Sequence, residues 1–146
     1  MSNVFRRFHE PTGVEFWDNL VEVEKLLTRF LMNDKNVPKS YRYIYTIPIL
    51  ERLGREWDWI VKAQSIFPGG ERANEMLNQK KDALQNAIAA NEAIIQALQR
   101  MVFILQHIDL DKMDELGKRL IRESAMLRSA KKNCRIQNNS KQKKQS

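Results

Sequence analysis

Cysteine is nearly missing from this chain. Cys134 is the single one in 146 residues, so no disulfide framework can close within it and a reducing compartment fits best. No stretch approaches the eighteen apolar residues of a membrane span, and MSNVFRRFHEP lacks the apolar core of a signal peptide. The expectation is a soluble, cytoplasmic protein. Gly69-Gly70 is not followed by Lys-Ser/Thr and follows no strand, which excludes a phosphate-binding loop. The two histidines, His9 and His107, stand apart and share no helical spacing with Cys134 or a carboxylate pair, so neither a metal site nor a cofactor is indicated. No serine or cysteine nucleophile is spaced with a base and an orienting acid. Together these absences point away from an enzyme and give no catalytic residues.

What is present is charge, unevenly placed. The net charge is +7, yet Lys131, Lys132, Arg135, Lys141, Lys143 and Lys144 supply six of it. The preceding 130 residues are nearly balanced. Such a polycationic end either binds phosphates or simply keeps the chain solvated.

The second feature is a long stretch without glycine or proline, Glu71 to His107. Leu77, Leu84, Ile88, Ile95, Leu98, Val102 and Leu105 recur in it at intervals that are multiples of a helical turn, which predicts a helix about 55 Å long. From Met101 to Leu105 it is apolar all the way round, so several helices or another subunit must enclose it. Three further helices accompany it. From Val14 to about Asn33, Phe16, Leu20, Val23, Leu27 and Phe30 form a stripe widened by Trp17, Val21 and Leu31. Between Lys39 and Ile66, Tyr41 to Ile47 alternates like a strand, but a lone strand has nothing to pair with. The longer pattern Tyr43, Ile47, Leu50, Gly54, Trp57, Val61 is helical, with Pro48 kinking or restarting it and Thr46 a candidate cap. A fourth helix carries Met113, Leu116, Leu120, Ser124 and Leu127, with Asp109 or Asp111 to cap it. Capping and dipole compensation account for Asp109, Asp111, Asp114 and Glu115 without a bound Mg²⁺. The fold class expected is all-α: an irregular segment over residues 1–13, an antiparallel four-helix bundle over 14–132, and a basic, flexible tail over 133–146.

Two groups of candidate functional residues emerge. Lys118, Arg119, Arg122, Arg128, Lys131, Lys132 and Arg135 run along the fourth helix into the tail, and Lys39 and Arg42 flank the aromatic run of the second segment. Both could contact a phosphate backbone with little sequence selectivity, although basic residues also suit a helix C-terminus. The other group is apolar: Met101, Phe103 and Ile104, and Trp59, which lies two positions from Trp57 and therefore points away from the stripe. These are candidates for an oligomer or partner interface.

The Val37-Pro38-Lys39-Ser40-Tyr41-Arg42-Tyr43 motif, set between the first helix and the second, resembles that of a small four-helix-bundle family. It includes the accessory variability determinants of diversity-generating retroelements and the proteins encoded by intervening sequences in bacterial large-subunit ribosomal RNA genes. The resemblance implies a homo-oligomer, a pentamer in the retroelement branch, that binds reverse transcriptase and its template RNA and supports mutagenic cDNA synthesis without catalysing it. The chain departs from the family pattern where Thr46-Ile47-Pro48 replaces Gly-Gln-Arg. It departs again at the end of the fourth helix, where Ser124 to Ala130 lacks the family's glycines and tryptophan. The alternative is a structural or protein-partner bundle, or an intervening-sequence type of protein, with no reverse transcriptase.

Overall fold

The computed structural model describes residues 10–137. The expectations for residues 1–9 and for the tail beyond Gln137, His9 and the last three lysines included, lie outside the described residues. Four α-helices and no strand are found among those described: α1 (Glu15–Leu31), α2 (Thr46–Gln64), α3 (Ala73–Ile104) and α4 (Asp114–Lys132). Each packs on the next, and α1 closes the ring against α4. Short connections force neighbouring helices to alternate in direction, and the result is an up-down-up-down bundle. The ends of α1 and α3 meet at one pole, where His107 Nε2 lies 3.1 and 3.0 Å from the carbonyls of Lys35 and Asn36.

Helix starts follow local chemistry. Asp18 accepts from Thr12 N and Oγ1 and from Gly13 N, tying the incoming chain over the first turn of α1. These bonds, that from the Thr12 backbone first, hold its carboxyl below the usual range. Pro48 restarts the second helix and does not kink it. Lys39–Tyr41 forms a separate 3₁₀ turn, and Pro48 sits in the first turn of α2, where an N–H would have no helical partner. Thr46 is not the cap; it is buried and its hydroxyl donates to Leu31 O, stitching α2 to the end of α1. Asp109 caps the 3₁₀ turn Leu110–Met113 that leads into α4. Between α2 and α3, Gly70 has φ +74°, a left-handed conformation that favours glycine there.

Core side chains come from all four helices and form one cluster: Leu20, Val23 and Leu27 of α1, Ile49, Leu53 and Ile60 of α2, Leu84, Ile88, Ile94 and Met101 of α3, and Leu116, Leu120 and Leu127 of α4. Each such leucine or isoleucine contributes about 1.5–3 kcal/mol on burial. The stripe on α2 differs from the sequence expectation by about one position. The helix buries Ile49, Leu53, Glu56, Ile60 and Ala63, while Ile47, Gly54 and Val61 face outward and Tyr43 is 82% exposed. The apolar pattern misled because the inward stripe contains a glutamate. With Tyr43 and Gly54 exposed, the expected stripe had no packing partner on one side. The long helix is also shorter than expected, 32 residues, or about 48 Å.

Candidate functional site

A contiguous apolar surface is left uncovered on one side of the bundle. α3 and α4 are parted by a trough lined by Ile95, Val102, Phe103, Leu110, Met113, Gly117 and Ile121. Phe103 is 77% exposed, Ile121 65%, Leu110 63% and Ile104 60%. Isolated exposed apolar residues are ordinary, but a contiguous group at the end of two helices is not. Gly117 adds a second signal. It stands inside α4, where glycine costs about 1 kcal/mol relative to alanine, and a Cβ built on it would meet nothing within 4 Å. The chain's own packing gives no reason for that glycine; close approach of another backbone would. Of the apolar candidates, Phe103 lines the trough, whereas Ile104 is exposed round the side of α3 in a separate shallow recess with Gln96 and Arg100. Met101 is in neither, because it is taken up entirely by the bundle core. Trp59 is half-buried against the core with Lys62 Nζ 5.3 Å from its ring centroid, and lies on α2, away from the trough.

The cationic candidates do not form one stripe. Lys39 and Arg42 sit at the pole where α1 ends, while Lys131, Lys132 and Arg135 lie at the other pole, where α4 ends beside the start of α3. Arg42 belongs to the α1–α2 connection: Nη2 donates to Met32 O and pairs with Asp34, which Lys39 also approaches at 3.9 Å. On α4, Lys118 pairs with Asp114 at 2.9 Å, and Arg119 pairs with Glu115 at 3.4 Å and reaches Asn19. Arg128 pairs with Glu92 on α3. The hydrogen bond that Lys118 Nζ donates to Asp114, followed by the charge of that carboxylate, raises the Lys118 pKa. Arg122 turns toward α1, beside Phe16 and Met126. The remaining concentration of positive charge is a shallow recess between α3 and α4 formed by Lys81, Gln85, Arg128, Lys131 and Lys132, in which Lys131 Nζ donates to Gln85 Oε1. Lys81 was not among the residues picked out from sequence; it lies on α3, and only antiparallel packing brings it to the end of α4.

The interior holds a feature that no motif announced. At one level of the bundle each helix turns a polar residue inward: Asn19 from α1, Glu56 from α2, Asn91 from α3, and Glu123 with Ser124 from α4, all buried. Asn19 Nδ2 donates to Arg119 O and Glu123 Oε1, both at 3.0 Å. Asn91 Nδ2 donates to Leu120 O at 2.8 Å and Ser124 Oγ at 2.7 Å. Burial, followed by the nearby Glu123 charge, pushes the Glu56 carboxyl up to about 9. Burial likewise pushes Glu123 up to about 8, against the opposing pull of the Asn19 hydrogen bond. Both carboxyls are therefore neutral acids around pH 7 when nothing else compensates them. No group of three or more His, Cys, Asp or Glu placed to hold a metal ion is found among the described residues, and no helix among them is long and apolar enough to cross a membrane.

No family model, curated protein or solved structure matches the chain.

Proposed function

We propose that this protein is a non-catalytic accessory subunit that self-associates through the α3–α4 trough and binds RNA through its cationic residues. The observation that carries the reading is the trough itself, an exposed apolar face with an otherwise unexplained glycine on one wall. Burying Phe103 and Ile121 against another copy would contribute several kcal/mol at about 25 cal/mol per Å². A closed ring of copies would repeat the Lys81–Lys131–Lys132 recess about one axis, turning a modest patch into a continuous positive surface. In the setting suggested by the resemblance to retroelement accessory proteins, the partners would be a reverse transcriptase and its template RNA, the assembly a pentamer and the compartment the cytoplasm.

The test joins two measurements on the full chain. Light scattering on size-exclusion fractions should give an oligomer for the wild type and a folded monomer for Phe103→Asp/Ile121→Asp. RNA binding should weaken steeply as salt rises, and Lys131→Ala/Lys132→Ala should flatten that slope. A wild-type monomer at high concentration refutes the assembly, and binding that ignores salt refutes the phosphate contacts.

A second reading rests on a separate observation: the ion pairs Lys118–Asp114, Arg119–Glu115 and Arg128–Glu92 satisfy the cations of α4 within the chain. On that reading the protein is a structural or protein-partner bundle, and it would assemble normally while retaining no RNA.

A further inference from the structure

The polar layer has acceptors without donors. Both carboxylate oxygens of Glu56, Oε2 of Glu123 and Oδ1 of Asn91 are buried with no hydrogen-bond partner among the described residues. The amide donors at the same level are spent, those of Asn19 on Arg119 O and Glu123 Oε1, and those of Asn91 on Leu120 O and Ser124 Oγ. That spending also fixes how Asn91 sits. Its nitrogen must face the Leu120 carbonyl, so Oδ1 is the atom left over. A buried acceptor without a donor costs about 1–3 kcal/mol, and four of them near one level of a small core are a large penalty for no structural return.

We infer that this layer is the binding site of one hard divalent cation, of the Ca²⁺ or Mn²⁺ class, held by Glu56, Glu123 and Asn91. The donor set is oxygen only, two carboxylates and an amide, which matches hard cations and excludes the sulfur and imidazole sites of softer ones. Two carboxylates supply the two negative charges that such an ion neutralises. Because the three ligands come from α2, α4 and α3, and Asn19 holds Glu123 from α1, the ion would tie all four helices at one point. The α1–α2 seam is the loosest of the helix contacts around the ring, and there Trp17 packs edge-on against Trp57, with ring centroids 4.9 Å apart.

The competing occupants are two protons, one on each carboxyl, and metal content tells the two apart. The full chain is stripped with EDTA, supplied with Mn²⁺ or Ca²⁺ at mildly alkaline pH, and passed through gel filtration. Metal per chain is then read by mass spectrometry and the melting temperature by circular dichroism. The expected result is close to one Mn²⁺ retained per chain and a melting temperature several degrees higher. Glu56→Gln and Glu123→Gln, which keep the side-chain shape and remove the charge, should stay helical, melt cooperatively and retain no metal. Wild-type protein that keeps no metal and melts identically with and without it overturns the inference in favour of protons. Metal held equally well by both glutamine variants overturns the assignment to this layer. Neither result touches the assembly reading, which is scored on oligomer size.

Discussion

Replacing Glu56 with glutamine should stabilise the bundle, by an amount that grows with pH. Glutamine matches the shape of glutamate, cannot ionise, and brings two N–H donors to a layer whose orphan atoms are all acceptors. The pH dependence follows from the raised carboxyl, which titrates at about 9 in the folded chain against a usual value of 4.5. Below the usual value the group is protonated folded or unfolded, and its contribution to stability is fully present. Above it the unfolded chain releases the proton while the folded chain keeps it, so wild-type stability is lost progressively until the folded carboxyl itself ionises. The loss is about 1.4 kcal/mol per pH unit for this one group. Between about pH 5.5 and pH 7.5 the advantage of the glutamine variant should therefore widen by about 3 kcal/mol. Urea unfolding followed by circular dichroism, in EDTA so that no cation occupies the layer, measures it. Taking the difference between the two chains cancels the remaining titratable groups, because Glu56 is neutral in both folded forms throughout that range. A constant difference across the range, or a glutamine variant that is the less stable at both ends, would mean that Glu56 is ionised and paired in the folded chain, and the acceptor count would be wrong.

Two further substitutions probe the parts that position the candidate surfaces. Gly117→Ala removes a mid-helix glycine where a Cβ meets nothing, so urea unfolding of the monomeric Phe103→Asp/Ile121→Asp chain should show a gain of about 0.5–1 kcal/mol. In the wild-type background the same change should weaken self-association, read by dilution in analytical ultracentrifugation; an unchanged dissociation constant would show that nothing packs close to α4 there. Lys80→Met keeps the apolar stem and deletes the bonds from Nζ to Ala63 O at 2.7 Å and Ile66 O at 3.0 Å, which close the C-terminal end of α2. It should cost about 2 kcal/mol in thermal or urea unfolding, and a neutral result would mean that water serves those carbonyls equally well.

The fold was legible from apolar periodicity wherever the inward face of a helix is apolar throughout. Leu20, Val23, Leu27 and Phe30 on α1, and Leu116, Leu120, Ser124 and Leu127 on α4, are buried as their spacing predicts. On α2 the same reasoning slipped by about a position, because Glu56 occupies the place in the inward stripe that an apolar residue would normally mark. Reading Ile49, Leu53, Ile60 and Ala63 as a stripe with one polar member would have found both the face and the glutamate. The apolar excess at the end of the long helix was visible as a turn with no polar side, and Phe103 and Ile104 are indeed left exposed. Which part of that turn the bundle itself absorbs was not visible. Met101 is fully buried because the packing of neighbouring helices on α3 covers that side of the turn. The basic stripe on α4 was legible as composition and not as a surface, since Glu92, which pairs with Arg128, and Lys81, which joins the cationic recess at the end of α4, belong to α3, more than thirty positions away in sequence.

The interior layer and the exterior trough meet on one helix, so the proposed assembly predicts a coupling between them. α4 presents Ile121 and Gly117 to the trough and, two residues beyond Ile121, turns Glu123 inward; on a helix two positions are about 200° apart. Its apolar hold on the core is thin, resting on Leu116, Leu120 and Leu127, so the state of the polar layer weighs heavily in how firmly α4 is seated. On the proposed assembly, two unneutralised carboxylates in the layer would push α4 outward, and a shift of α4 would change the width of the trough it shares with α3. Compensating the layer, by protons or by a divalent cation, should therefore tighten self-association although nothing is added at the interface. Linkage requires the converse as well: assembly must raise the affinity of the layer for its occupant by the same factor. Sedimentation of the wild type in EDTA should show a dissociation constant that rises from mildly acidic to mildly alkaline pH, and Glu56→Gln should flatten that rise. A dissociation constant indifferent to pH, in a chain whose unfolding free energy does depend on pH, would show that α4 keeps one seat whatever the layer holds and that the two features act independently.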